Sequence, residues 1–195
     1  MQLVFATNNA HKLEEVAAKI KGRIKLLSLT DIGCDDEIDE TGTTFSQNAS
    51  IKSHYIFDKY NLNCFGDDSG LEIDALDGKP GVYSARYAGH HGDHAANNQK
   101  VLAGLISADN RRARFRTVIS LIWNGEEHLF EGVVEGSIRH ELSGVAGFGY
   151  DPIFQPDGYT TTFAEMSLEE KNNISHRAKA VEKLLNFLNT QFSDY

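Results

Sequence analysis

The feature that most constrains the fold is a long hairpin in the second half of the chain. Two runs of alternating apolar and polar residues, 114–123 and 128–138, flank the pair Asn124 and Gly125. An Asn-Gly pair between alternating runs is typical of a tight turn that joins two antiparallel strands. The pattern therefore predicts a wide antiparallel element.

Helical segments alternate with strands in the rest of the chain. Residues 3–6 predict a short buried strand, and residues 12–21 predict a helix that ends at Gly22. The other predicted elements are a strand over 24–29, a helix over 44–60, a short strand over 64–66, a helix over 95–106 and a last helix from about 176 to 192. Strands mixed with helices predict an α/β fold built on a mixed sheet.

The composition excludes several classes of function. The 195 residues are 41% hydrophobic, which suits one compact domain or two small lobes sharing a core. A formal net charge of -9 opposes non-specific binding to nucleic acid or to an anionic membrane. No segment resembles a signal peptide or reaches transmembrane length, and Cys34 and Cys64 form no disulfide framework. We therefore expect a cytoplasmic protein that holds any anionic ligand with local cations.

A polar segment between the first strand and the first helix has the character of a phosphate site. It consists of Thr7, Asn8, Asn9, Ala10, His11 and Lys12. Backbone N–H groups at a helix start, the helix dipole and a lysine could together hold phosphate. The segment lacks the glycines of a Walker A loop, so its spacing alone favours Asn9 as an ordinary helix cap.

Carboxylates and a lysine form the second candidate group. Glu40 precedes a predicted helix in which Asn48 and Lys52, four residues apart, share one face. Asp67 and Asp68 are adjacent at a predicted strand end or turn, where their mutual repulsion needs compensation. Mg²⁺ would supply it, since this ion accepts one or two carboxylates together with phosphates and waters. The alternatives are a capped helix with solvated polar residues and an Asp-rich turn.

Two further segments could contact a flat ligand. Residues 144–151 place Phe148 and Tyr150 in a glycine-rich backbone, where a base could stack, although both aromatics could equally be core residues. Lys171, Ser175, His176 and Arg177 cluster at the start of the last helix, as a nucleotide pocket or as a solvated helix start. The histidines at 11, 90, 91 and 94 have no zinc motif around them, which favours an exposed polar loop.

Five motifs occur in an order that carries a family resemblance. They are ATNNAHK, ETGTTFSQNASIK, DDSGLEIDAL followed by PGVYSARYAG, GFGYDPIF, and EEKNNISHRAKA. Together they span nearly the whole chain, and five ordered matches are far more specific than one. The chain resembles the non-canonical purine nucleoside triphosphate pyrophosphatase family, also called the inosine triphosphatase or XTP/dITP diphosphatase family.

The resemblance implies a fold and a reaction. The fold would be an elongated single α/β domain over residues 1–195, with a mixed, long-stranded, twisted sheet, flanking helices and a substrate cleft between two lobes, commonly as a homodimer. The reaction would be Mg²⁺-dependent hydrolysis of ITP, dITP or XTP to the monophosphate and pyrophosphate. Water would attack the α-phosphorus, and deaminated purines would thereby leave the nucleotide pool.

The resemblance also implies residue roles. Asp68 would be the general base and a metal ligand, with Glu40 as a second metal ligand and Asp67 assisting. Substrate would be bound by Thr7, Asn8, Asn9, Ala10, His11, Lys12, Lys52 and Ser69 on its phosphate side, and by Phe148, Gly149, Tyr150, Asp151, Lys171, His176 and Arg177 around the base. Asn8 departs from the family, in which many members have glycine, and asparagine tolerates a left-handed backbone at such a turn.

The base would be selected at its position 6. Inosine and xanthine carry an oxygen there, whereas adenine carries an amino donor, so backbone N–H groups or Arg177 would reject ATP. GTP shares the 6-oxo group, and the sequence shows no element that rejects it. The alternative functions are a nucleotide sensor without turnover and a pyrophosphatase that acts on other damaged nucleotides.

Overall fold

A six-stranded mixed sheet is the framework of the computed structural model, which describes residues 1–20, 22 and 24–192. Its strands are β1 (Gln2–Phe5), β2 (Lys25–Leu27), β3 (Cys64–Ile73), β4 (Arg112–Trp123), β5 (Glu126–Ile138) and β6 (Phe154–Pro156), in the order β2-β1-β3-β4-β5-β6. Strand β1 runs parallel to both β2 and β3, whereas β6 is antiparallel to β5. The predicted α/β fold with a mixed sheet is therefore confirmed.

Five α-helices accompany the sheet within the described residues. They are α1 (Ala10–Lys19), α2 (Phe45–Tyr60), α3 (His94–Gly104), α4 (Leu168–Ile174) and α5 (His176–Phe192). The prediction for α1 began two residues late, and its predicted end at Lys21 lies outside the described residues. Helix α2 matches its prediction because Thr44 accepts a hydrogen bond from Gln47 N at its start and Asn61 ends it in a left-handed conformation.

The predicted hairpin is present at nearly its predicted length. Strands β4 and β5 are neighbours in the sheet and contain 12 and 13 residues. Between them Asn124 and Gly125 adopt positive φ angles of 52° and 86°. These angles belong to a turn whose twist matches that of the flanking strands, so the two-residue connection joins β4 and β5 directly.

The chain divides into two compact units. The first contains Met1–Asp68, Thr117–Gly132 and the chain from Arg177 onward. In it, Leu3 and Phe5 of β1 pack with α5 on one face of the sheet, while Val4 packs with Ile56 of α2 on the other. Because successive side chains of a strand point to opposite faces, β1 is buried on both sides.

The second unit has its own core. It contains Ser69–Arg116 and Val133–His176. Phe115 of β4 packs edge-on against Phe154 at 4.7 Å between ring centroids, and Phe163 joins the same aromatic group. Leu105 of α3 is fully buried in this core. Among the described residues, no helix combines the length and the apolar character that a membrane crossing requires.

The prediction for Asp67 and Asp68 was wrong in one respect. The sequence predicted a short strand over 64–66 that leads into an acidic turn, whereas β3 continues without interruption to Ile73. Both aspartates lie inside the strand and are almost fully buried. Two adjacent charges indicated a strand end because the cations that accompany them, Lys12 and Arg177, are distant in the sequence. Strand β6 was not predicted either.

We predict that Gly66→Ala destabilises the first unit. A Cβ atom at Gly66 would lie 2.6 Å from the Ala49 carbonyl oxygen and 2.8 Å from Lys52 Cβ, so α2 would have to move away from β3. Overpacking of this kind costs about 1–3 kcal/mol, measurable by urea unfolding. Gly104→Ala is the control, because its Cβ meets only a flexible leucine and alanine favours helix. Equal unfolding midpoints for the two variants would contradict the prediction.

Candidate active site

Charged side chains are concentrated in the interior of the first unit. Glu15, Lys52, Asp67, Asp68 and Arg177 are each less than 10% exposed. Ionised groups are rarely buried unless they are paired, because removal from water is costly. Lys12 and Glu40 bond to Asp67 and Lys52 and complete one charged cluster. This cluster contains Lys12 and Lys52 of the predicted phosphate side.

Asp67 is held by two cations. Lys12 Nζ donates to its Oδ1 at 2.9 Å, and Arg177 Nε donates to its Oδ2 at 3.2 Å. Burial alone would raise the pKa of Asp67, but Lys12, Arg177 and Lys52 outweigh it and hold the pKa well below its usual range. Asp67 is therefore a permanent anion.

Asp68 has the opposite environment. Asn48 Nδ2 donates to its Oδ2 at 2.9 Å. Burial raises the pKa of Asp68 to about 6, although Lys52 and Lys12 act against this rise. A carboxylate that gains its charge just below neutral pH has the proton affinity that a general base needs. The two adjacent aspartates thus differ in chemistry because Lys12 and Arg177 donate directly to Asp67, whereas the neutral amide of Asn48 donates to Asp68.

Helix α2 brings an amide and an ammonium together, as predicted. Lys52 Nζ donates to Glu40 Oε1 at 2.5 Å. Burial lowers the pKa of Lys52, but the carboxylates of Asp67, Glu40 and Asp68 raise it above its ordinary value. Asn48 accepts a hydrogen bond from Gly42 N at 2.8 Å while its amide donates to Asp68. The amide is thereby fixed in the orientation that presents a donor to the carboxylate.

The polar segment before α1 forms a helix cap. The Asn9 side chain accepts hydrogen bonds from the backbone N–H groups of His11 and Lys12, and its own N–H donates to Thr7 Oγ1. The alternative interpretation of Asn9 as a cap is confirmed. Asn8 is not among the residues with positive φ, so tolerance of a left-handed turn is not needed there. Phosphate binding by this segment stays a prediction.

Sequence reasoning missed Glu15. Its carboxylate is buried in α1 and accepts a hydrogen bond from Arg177 Nη1. Burial lowers the pKa of Arg177, but the carboxylates of Glu15 and Asp67 outweigh burial and raise the pKa above its ordinary value. Nothing in the sequence separates Glu15 from the exposed glutamate before it, because only the distant Arg177 makes the position special. Contact between Arg177 and a base stays a prediction, and its guanidinium donates to the carboxylates of Glu15 and Asp67.

The carboxylates fit a magnesium ion. Among the described residues, no group of three or more His, Cys, Asp or Glu side chains is arranged to hold a metal. Mg²⁺ does not need such a group, because it usually keeps waters and phosphate oxygens beside one or two carboxylates. Burial raises the pKa of Asp68 despite two nearby lysines, which indicates a carboxylate with too little positive charge around it. Asp68 therefore fits the ion chemically, and Glu40 would serve as a second carboxylate ligand on release from Lys52 Nζ.

The second unit contains the candidate residues for the base other than Arg177. Lys171 Nζ donates to Asp151 Oδ2 at 2.6 Å, and both side chains are buried. Phe148 N donates to the same oxygen at 2.8 Å, and Lys171 Nζ lies 4.9 Å from the centre of the Phe148 ring. Phe148 is half-buried. Asp151 thus connects the lysine to the backbone that carries the aromatic ring.

The remaining predicted residues have varied surroundings. Tyr150 is a core residue whose hydroxyl donates to the Ser84 carbonyl at 2.8 Å, and His176 stacks on Phe115. Ser69 is partly buried in β3. His90 and His91 lie in an exposed turn, as the polar-loop interpretation expects.

A surface cavity of about 550 Å³ in the second unit is a separate feature. Its lining consists of residues 109–112 and 137–141, which include Arg111 and Arg139. Arg111 donates to three backbone carbonyls, and Arg139 donates to Gln155 and to the Thr160 carbonyl. Because both arginines are hydrogen-bonded to other groups of the protein, their contacts give no reason to assign this cavity a catalytic role.

Comparison with known proteins decides the family. The sequence profile of the Ham1 family matches residues 3–187, a span that includes every candidate residue. The chain belongs to the Ham1 family. It is 51% identical over 187 residues to a dITP/XTP pyrophosphatase of Flavobacterium psychrophilum, with 96% of this chain and 98% of that protein aligned. It is 50% identical to a dITP/XTP pyrophosphatase of Porphyromonas gingivalis, with 96% and 97% aligned.

Solved Ham1 structures have the same fold. The Ham1 protein of Staphylococcus aureus superposes with a TM-score of 0.89 at 38% identity, covering 98% of this chain and all of that one. A HAM1 protein of Coxiella burnetii gives a TM-score of 0.89 at 41% identity, covering 97% and 99%. The predicted fold class is that of the Ham1 proteins.

We predict that Asp68→Asn stabilises the protein at pH 8 without divalent cations. A raised pKa means that the folded state prefers the protonated acid, so the wild type loses stability as the pH rises from about 4 to about 6. Asparagine carries no charge and can still accept from Asn48. Urea unfolding should show a gain of about 3 kcal/mol at pH 8 that falls to about 1 kcal/mol near pH 4.5 and vanishes below about pH 3.5.

The adjacent Asp67→Asn variant is the matched control, and we expect it to lower the free energy of unfolding. Its carboxylate is paired with Lys12 and Arg177, so its removal leaves buried cations without their partner. Loss of one member of a buried ion pair costs about 3 kcal/mol. Destabilisation by both substitutions at pH 8 would show that Asp68 is also stabilised by its surroundings.

Proposed function

We propose that this protein hydrolyses ITP, dITP and XTP to the monophosphate and pyrophosphate, with Mg²⁺ as its cofactor. The observation that carries the proposal is the buried carboxylate of Asp68, which has a pKa near 6 and lies in a cluster with Lys52 and Lys12. A general base beside cations suits attack of water on a phosphate. The Ham1 relatives named dITP/XTP pyrophosphatase support the choice of substrate.

The charges of the cluster explain why a cation is needed. Three cations, Lys12, Lys52 and Arg177, accompany four carboxylates, those of Glu15, Glu40, Asp67 and Asp68. The cluster therefore has net negative charge and would repel a triphosphate by itself. Bound Mg²⁺, held by Glu40 and Asp68, would reverse this sign and neutralise charge on the phosphates.

The protein's own residues then have distinct roles. Asp68 accepts the proton of the attacking water, and Asn48 keeps its carboxylate oriented. Lys52 and Lys12 attract the triphosphate and stabilise the charge that develops on the leaving pyrophosphate. Asp67 keeps Lys12 in position through a 2.9 Å ion pair. Water attacks at the α-phosphorus, so the bond to pyrophosphate breaks.

Base recognition is assigned to Phe148 and Lys171. Phe148 offers a half-buried ring on which a purine can stack. Lys171 has donors and no acceptor, so it can bind a 6-oxo group and cannot satisfy the 6-amino group of adenine. An unsatisfied pair of donors costs about 1–3 kcal/mol, which would reject ATP.

On the family resemblance we also propose that the protein is a cytoplasmic homodimer.

The first test is pyrophosphate release from ITP, XTP, GTP and ATP with Mg²⁺. We expect turnover of ITP and XTP, and a kcat lower by about 10²- to 10⁴-fold in Asp68→Asn, because general bases contribute factors of this size. The control is Asp109→Asn, an exposed aspartate of the second unit. Turnover of all four nucleotides would refute the specificity argument, and binding without turnover in the wild type would favour a nucleotide sensor.

The pH dependence follows from Asp68. Its carboxyl has a pKa of about 6 without metal and can accept a proton only when deprotonated, so kcat/KM at low Mg²⁺ should rise through pH 6 toward alkaline pH. Below that pH the rate should fall about tenfold per pH unit. Saturating Mg²⁺ favours the charged carboxylate and should move this rise to lower pH. Measurements from pH 5 to 9 with thermal melts at each pH would separate this titration from unfolding. A maximum below pH 6 at low Mg²⁺ is incompatible with Asp68 as the base.

A further inference from the structure

Two neighbouring asparagines of α3 are buried to the same extent but are bonded differently. Asn97 and Asn98 are each 2% exposed. The Asn97 amide is satisfied on both sides, because its Oδ1 accepts from Ala88 N at 2.7 Å and its Nδ2 donates to the Ala85 carbonyl at 3.3 Å. Asn98 Oδ1 has no hydrogen-bond partner among the described residues. A buried acceptor without a partner is rare and needs an explanation.

The explanation lies in the other half of the Asn98 amide. Its Nδ2 donates to two backbone carbonyls, those of His94 and Gly149, each at 2.8 Å. An amide nitrogen has two hydrogens, so both are used. Rotation of the amide would place Oδ1 against two carbonyl oxygens and is therefore excluded. The two donated bonds force Oδ1 into a position without a partner.

The Gly149 carbonyl belongs to the backbone beside Phe148, whereas the His94 carbonyl belongs to the first turn of α3. Gly149 follows Phe148 directly, and the His94 ring lies against the Phe148 ring with 6.4 Å between centroids. Gly147 and Gly149 on either side of Phe148 have positive φ angles of 72° and 63°. Glycines in this conformation leave the backbone adaptable, so the direction of the ring depends on bonds from outside the segment.

We propose that Asn98 is a positioning residue for base recognition, because its amide ties the start of α3 to the Gly149 carbonyl and so holds the Phe148 ring. The inference rests on the proposed function, in which Phe148 stacks on the purine. Asp151 and Lys171 fix Phe148 from one side through its N–H, and Asn98 fixes the next residue through its carbonyl. Asn98 does not touch the substrate.

The test variant is Asn98→Ser. A serine hydroxyl in a helix can still donate to the carbonyl four residues earlier, here that of His94, but it is too short to reach Gly149. The control is Asn97→Ser, which removes equally buried bonds to residues 84–88 instead. Asn98→Ala, which loses both bonds, is the second variant. Thermal melts establish that each variant is folded at the assay temperature.

Steady-state kinetics with ITP and ATP is the first measurement. For Asn98→Ser we expect a KM for ITP raised by about tenfold, a kcat within about twofold of wild type, and weaker discrimination against ATP. Asn97→Ser should keep the wild-type KM and the wild-type ratio of kcat/KM values. Equal kinetic changes in both variants would assign Asn98 a merely structural role and overturn the proposal.

Hydrogen exchange of the ligand-free proteins is the second measurement, and it needs no activity. We expect faster exchange over residues 144–151 in Asn98→Ser and in Asn98→Ala, but not in Asn97→Ser. Wild-type exchange in that segment would overturn the proposal whatever the kinetics show. A wild-type protein that does not hydrolyse ITP would refute the proposed function. The exchange data would then still decide whether Asn98 holds the segment.

Discussion

The alternation of side chains along β3 is the constraint on which the candidate site depends. Residues that follow each other in a strand point to opposite faces. Asp67 therefore meets Lys12 of α1 and Arg177 of α5, while Asp68 meets Asn48 of α2. Lys12 and Lys52 act on both carboxylates, but two cations donate directly to Asp67 and a neutral amide donates to Asp68. Within a buried strand they become a fixed anion and a titratable base.

The helices around β3 are placed by the same strand. Gly66 has no side chain, and its α-carbon faces the backbone of α2 so closely that a Cβ would lie 2.6 Å from the Ala49 carbonyl oxygen. This close approach of α2 to β3 brings the side chains of Asn48 and Lys52 near the buried carboxylate of Asp68. On the other face, Phe65 stacks on Phe5 of β1 at 4.4 Å between ring centroids. Apolar packing thus supplies the stability that holds these charged residues in place, because buried ion pairs contribute little stability themselves.

How much the sequence could predict depends on the range of each interaction. The hairpin of β4 and β5 and the cap of α2 are encoded within a few residues, and both predictions were correct. The continuity of β3 depends on Lys12 and Arg177, which lie 55 and 110 residues away from Asp67. No local pattern contains that information. Family motifs singled out Lys52 and Asp68, but the bonds of Glu15 and Asn98 are visible only in three dimensions.

The Asn9 cap has a consequence for how this protein meets an anion. Its amide oxygen occupies the N–H groups of His11 and Lys12, the same donors that a helix start would offer to a phosphate oxygen. Asn9 therefore satisfies both donors from within the chain and keeps the first turn of α1 formed by itself. Under the proposed function, a phosphate that binds at this turn would take the place of the amide oxygen. The exchange would replace one acceptor by another at a turn that is already ordered.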